Sequence, residues 1–86
     1  MDIKYRKTYL DVVVEMRNNG TLRPLYFFWR DGLKYKIDRV KYVERAASLK
    51  VGGYGYRYTV MVGGKERYFF LEEGKWFIEE PIYPNC

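Results

Sequence analysis

Short runs in which apolar and polar residues alternate one by one, each ended by a glycine-bearing turn, fill this chain from Thr8 to Glu79. Successive side chains of a strand point to opposite faces, so a period of two marks a half-buried strand and argues against an amphipathic helix. From Thr8 to Arg17, Leu10, Val12, Val14 and Met16 share one face, and Asp11, Glu15 and Arg17 the other. Asn18-Asn19-Gly20-Thr21 follows, a cluster whose Asn and Gly accept positive φ. In the next run, Arg23 to Arg30, Leu25, Phe27 and Trp29 oppose Tyr26, Phe28 and Arg30, with Pro24 near the start, where a missing N–H is tolerated. Asp31-Gly32 is the strongest hairpin signal, and Leu33, Tyr35 and Ile37 then point inward.

The alternation slips after Ile37, because Val40 and Tyr42 lie three and five residues on. A bulge or bend near Asp38-Arg39 restores the inward face. Residues 33–46 therefore form either one bent strand or two strands meeting at a corner. A short helix over Val40–Leu49 competes, since Val43, Ala46 and Ala47 fit helical spacing, but the β-prone Tyr42 and Val43 favour strand through about Glu44. Ala46 to Gly55 has three glycines in four positions and reads as a loop. Tyr56–Val62, Glu66–Leu71 and Lys75–Glu79 complete the set, joined at Gly63-Gly64 and Glu72-Glu73-Gly74, and Pro81 and Pro84 are expected to end pairing.

The expectation is one all-β domain over residues 1–86, ordered from about 8 to 80 with a short tail at 81–86. Six antiparallel strands would form a meander curled into a small barrel or roll, SH3-like or OB-like. The expected core is Leu10, Val12, Val14, Leu25, Phe27, Trp29, Tyr35, Ile37, Val40, Tyr58, Val60, Phe69, Leu71 and Trp76. Three strands are apolar on both faces (Phe27/Phe28, Phe69/Phe70, Trp76/Phe77), which leaves Tyr26, Phe28, Phe70 and Phe77 as an outward aromatic face.

Composition mainly excludes. With no His there is no Ser-His-Asp triad, no Cys-His pair and no His metal ligand. A single Cys, Cys86, excludes an intrachain disulfide and a thiolate cluster. A chain this short without paired cysteines fits a reduced, cytoplasmic setting. No apolar run follows the charged Met1–Lys7 segment, so neither a leader nor a membrane span is expected. The net charge of +5 is uneven: residues 1–65 hold 14 Lys+Arg and 6 Asp+Glu, and residues 66–86 hold 2 and 5. A basic body can meet a polyanion, although this net charge is also ordinary for solubility.

Two blocks carry a resemblance. Gly20 to Val40 reads G-x-x-x-P-L-x-F-x-W-x-D-G-x-x-Y-x-I-D-x-V, and Ser48 to Val60 reads S-L-K-x-G-G-x-G-x-R-Y-T-V. With Trp76-Phe77-Ile78-Glu79, these blocks resemble a group of short uncharacterised proteins of Gram-positive bacteria that share a domain of unknown function. The likeness covers roughly residues 10–80 and implies no activity, so it transfers no catalytic residue.

The sequence offers one candidate binding surface: Arg39, Lys41, Lys50, Gly52, Gly53, Tyr54 and Arg57. Glycine-rich backbone beside Lys50 can turn N–H groups onto an anion, and tyrosines among cations can stack on bases while Lys and Arg meet phosphates. The same features also serve a long connection needing positive φ and a solvated strand face. Lys50 precedes its glycines and no G-K-[ST] follows, which excludes a Walker A loop. Glu72-Glu73 and Glu79-Glu80 are neighbours in sequence, so their side chains diverge and neither pair is a ready acid–base dyad. No catalytic, cofactor or metal site is expected. The reading is a non-enzymatic binding or assembly module acting through protein contacts, as a homodimer or with an unknown protein. Nucleic-acid binding through the basic and aromatic surface is the alternative, and no membrane or metal partner is expected.

Overall fold

The structure, a computed structural model, describes residues 3–45 and 55–83. Seven strands and no helix occur among them: β1 (Lys4–Met16), β2 (Leu22–Phe28), β3 (Lys34–Lys36), β4 (Arg39–Arg45), β5 (Tyr56–Val62), β6 (Lys65–Glu72) and β7 (Lys75–Ile82). They pair antiparallel in the order β3-β2-β1-β7-β6-β5-β4. The all-β, antiparallel expectation holds, with seven strands where six were expected. The sheet curls into a half-barrel, and its two ends in this order are consecutive in sequence. Ile37 and Asp38 alone join β3 to β4. The Ile37 N–H donates to Leu25 O on β2 at 2.9 Å, and the Asp38 N–H to Met61 O on β5 at 2.8 Å. The corner near Asp38 thus exists as two strands meeting, and the bulge lies further on, between Val40 and Tyr42. Val40–Arg45 is strand, while Ala46 to Tyr54 lies outside the described residues.

Each turn follows from its residues. Gly20 and Gly32 have positive φ and close matching three-residue loops, in which Asn19 Oδ1 and Asp31 Oδ1 accept the N–H two residues on. Gly63-Gly64 and Glu73-Gly74 each carry positive φ at both positions, the two-residue turn whose twist matches a hairpin.

Two boundaries differ from expectation. β1 begins at Lys4, and β7 runs through Pro81 to Ile82. The two extensions pair with each other, Lys4↔Ile82 through Leu10↔Trp76, and β1 then changes partner to β2 from Asp11 onward. Lys7↔Glu79 and Arg6↔Glu80 are directly opposed, and opposite charges across strands favour pairing. That contact spans some seventy residues of sequence, so no local pattern announces it.

Ile37, Tyr58, Val60, Phe69 and Trp76 form the buried core on the concave face, with Leu10, Val12, Phe27, Val40, Val62, Leu71 and Ile78 packed against it. Val14, Trp29 and Tyr35 are at best half-buried, because a register shift between Val13 and Val14 and the open side of the barrel leave them uncovered. The opposite face corrects a second expectation. Phe70 and Phe77 are 1% and 0% exposed, not part of an outward aromatic face. They stack at 5.1 Å, Tyr9 lies against Phe77 at 5.6 Å, and Lys7 Nζ sits 4.8 Å above the Phe77 ring while bonding Glu72 Oε1 at 2.9 Å. No helix among the described residues is long and apolar enough to cross a membrane.

Candidate functional site

The ladder between β6 and β7 has only three pairs, Glu72↔Lys75, Leu71↔Trp76 and Phe70↔Phe77. Both strands are eight residues long, so beyond Phe70 and Phe77 they part. β7 follows β1, and β6 stays with β5 over seven pairs. A cleft of about 610 Å³ lies in the fork. Its walls are Glu66 to Phe70 of β6 and Ile78-Glu79 of β7, and its floor is Phe27, Trp29 and Tyr35 from the far side of the half-barrel. That volume falls within the roughly 300–1,000 Å³ of ligand sites, and the lining is mainly aromatic and aliphatic, as such sites are.

Hairpin geometry fixes what the fork presents. The residues flanking a two-residue turn exchange both backbone bonds, and bonded pairs alternate along an antiparallel ladder. Counting from Glu72↔Lys75, the N–H and C=O groups of Tyr68 and Glu66 point into the cleft. Pro81, which has no N–H, faces the cleft from β7 by the same count. This explains why a proline is tolerated inside β7, where the sequence pattern would end the strand.

Side chains anchor both walls of the fork. Glu80, on the concave face of β7, receives two bonds from Arg30 Nη2, at 2.6 and 2.7 Å, and a further one from the Thr8 hydroxyl. These bonds, the Thr8 bond foremost and Arg30 next, keep its carboxyl below the ordinary value of 4.5. The Arg30 guanidinium lies 4.4 Å over Trp29. Across the floor, Phe27 meets Phe69 edge-on at 5.1 Å and stacks on Tyr35 at 5.5 Å. The Tyr35 hydroxyl donates to Asp31 Oδ2 at 2.6 Å, which lowers the Asp31 pKa and raises that of Tyr35. β7 is therefore tied to the β2–β3 turn, and β6 to β2.

The surface expected from sequence is only partly assembled. Arg39, Lys41 and Arg57 share the β4–β5 region. Lys41 Nζ bonds Glu66 at 2.8 Å, and Arg57 Nη2 bonds Glu44 at 2.7 Å and stacks 5.1 Å from the Tyr68 ring. Two of these three cations thus already have carboxylate partners. Lys50, Gly52, Gly53 and Tyr54 lie outside the described residues. The bulge at Lys41, with Arg39 and Arg45, guards the outer edge of β4 against strand pairing. Glu79 and Glu80 point to opposite faces, and Glu72 is held by Lys7, so the carboxylates form no dyad. Among the described residues, no group of three His, Cys, Asp or Glu side chains is placed to hold a metal ion. The cleft itself was missed by sequence reasoning. Its one local signal is Pro81, placed where a strand otherwise continues. Comparison with family models, with curated proteins and with solved structures finds no match to this chain.

Proposed function

We propose that this chain is a non-enzymatic protein-binding module whose site is the β6–β7 cleft, and that its partner enters as an extended segment. The observation carrying this reading is the three-pair ladder. It leaves the Tyr68 and Glu66 backbone groups facing an aromatic-lined space of about 610 Å³. A strand laid along β6 satisfies those groups and covers apolar surface that the half-barrel leaves open, as in strand addition generally. The domain reads as a small barrel of the SH3-like or OB-like kind, opened along one seam. The bent β1, shared by both halves of the sheet, supports that assignment. The binding site is the cleft in place of the outward aromatic face, because Phe70 and Phe77 are buried.

The test is a peptide array of random decamers probed with labelled protein, followed by amide NMR titration of the strongest binders. The expected shifts fall at Glu66, Tyr68 and Ile78, and N-methylation of the peptide backbone abolishes binding. Nucleic-acid binding predicts a different map: shifts at Arg39, Lys41 and Arg57 with single-stranded DNA or RNA, steeply lost with salt. That map, with no peptide entering the cleft, overturns the reading.

A further inference from the structure

Strand addition imposes a pattern on the occupant, because alternate side chains of an inserted strand face opposite sides of the sheet. The two sides of this cleft differ chemically. On the concave side an inserted residue meets Leu10, Phe27, Val62, Phe69 and Ile78, core side chains of which all but Phe69 are only partly covered. The β5–β6 register puts Glu66 and Tyr68 on the convex side, with Met61 and Thr59, and the β1–β7 register puts Glu79 and Tyr5 there too. Convex positions thus offer carboxylates beside phenol rings.

We propose that the cleft selects an extended polypeptide segment in which large apolar residues alternate with Lys or Arg. The inference rests on the peptide-binding reading above and adds the chemistry of the partner. Charge complementarity supports it: of the residues lining the cleft on the convex side, Glu66 and Glu79 are acidic and none is basic, in a chain whose first 65 residues carry a net +8. Glu66 uses one oxygen on Lys41, and a carboxylate has lone pairs for a second cation. Tyr68, 43% exposed, already has the Arg57 guanidinium 5.1 Å from its ring, so this ring accepts a cation. The stretch of β6 that does not pair with β7, Lys65 to Phe69, sets the length at four or five residues, about 17 Å at the usual strand rise. Arg67 lies on the concave side, so it does not oppose the basic positions.

The probes are three blocked heptapeptides: Lys-Val-Lys-Phe-Lys-Val-Lys, its analogue with Glu for every Lys, and a block-ordered isomer with the four Lys first. Affinity is read by amide NMR at low and moderate salt, alongside a strong binder from the decamer array. The alternating basic peptide is expected to shift Glu66 and Tyr68 amides and to bind at least tenfold tighter than both controls. Glu66→Gln with Glu79→Gln is expected to cost it about tenfold and to narrow the gap to the Glu analogue, with the fold retained. Equal binding of the Glu analogue overturns the basic preference, and equal binding of the block-ordered isomer overturns the alternation. Failure of all three while the array binder occupies the cleft overturns this inference alone. Failure of every peptide to reach the cleft overturns the peptide-binding reading itself.

Discussion

Phe77→Ala is the sharpest test of the packing described above, because the sequence pattern and the structure place that ring oppositely. On the alternation alone Phe77 faces out, where truncation costs within about 0.5 kcal/mol. In the structure it is fully buried on the convex side, stacked on Phe70 and covered by Tyr9 and Lys7. A buried aromatic ring removes roughly 150–250 Å² from water. At about 25 cal/mol per Å² that is roughly 4–6 kcal/mol, an upper bound because unfolded chains already bury some surface. Measured buried Phe→Ala truncations cost about 3–5 kcal/mol. A domain of this length has about 4–13 kcal/mol in total, so the variant sits at or below the edge of folding. Urea denaturation followed by circular dichroism reads the loss. With a slope near 1 kcal/mol per M the midpoint falls by about 3–5 M. Phe77→Leu keeps the test readable if the Ala variant does not fold, with an expected cost under about 1.5 kcal/mol. Tyr9→Ala removes a ring that is 58% exposed, and loses about the 0.5–1.5 kcal/mol of an aromatic pair. A Phe77→Ala loss within about 0.5 kcal/mol refutes the convex-side packing of Phe77 on Phe70 and returns Phe77 to an outward face.

Three further outcomes are expected. The Glu80 carboxyl is depressed in the fold, so its stabilisation is fully present above its ordinary value of 4.5 and is lost as pH falls through the lower folded value. Glu80→Gln should therefore flatten the acid limb of a melting-temperature profile below pH 4.5, and an unchanged limb counts against the Arg30–Glu80–Thr8 tie. A Cβ added at Gly55, where φ is 153°, would lie 2.1 Å from Leu71 O, so Gly55→Ala should lower the urea midpoint by forcing the backbone to move. An unshifted midpoint refutes that approach. Tyr35→Phe removes the largest cause of the Asp31 shift, so the Asp31 carboxyl should titrate closer to 3.8 by carbon NMR. No movement would show that the hydroxyl bond does not persist in solution.

The strands with clean alternation were legible, and so were the turns, because positive φ at Gly20, Gly32, Gly63-Gly64 and Gly74 is written locally. What stayed hidden depends on distant partners. Ile37 and Asp38 make a corner because Leu25 and Met61 accept their N–H groups. Lys4 to Lys7 shows no alternation, and it is strand because β7 lies beside it. The cleft is further from view, since it follows from where one ladder stops. Of the basic constellation, Arg39, Lys41 and Arg57 lie on β4 and β5, and sequence did not show that Glu66 and Glu44 occupy two of them.

The uneven charge takes its meaning from those partners. Taken along the chain it marks a basic body and an acidic end, a division that invites a polyanion. In the fold the acidic end meets the basic body: Glu66 with Lys41, Glu72 with Lys7, Glu80 with Arg30. Exposed pairs contribute about 0–1 kcal/mol each. The exposed ones here, Lys41–Glu66 and Arg30–Glu80, are therefore poor candidates for what stabilises the domain, whereas Lys7–Glu72 is part-buried over Phe77. The charges opposed across β1 and β7, Lys7 with Glu79 and Arg6 with Glu80, act on register. A slip of one residue in the β1–β7 ladder would turn Leu10 and Trp76 to opposite faces, and would separate Lys7 from Glu79 and Arg6 from Glu80. The charges and the apolar pattern therefore select the same pairing. That pairing carries β7 away from β6 beyond Phe77 and opens the cleft, so the charge division helps to place the proposed site.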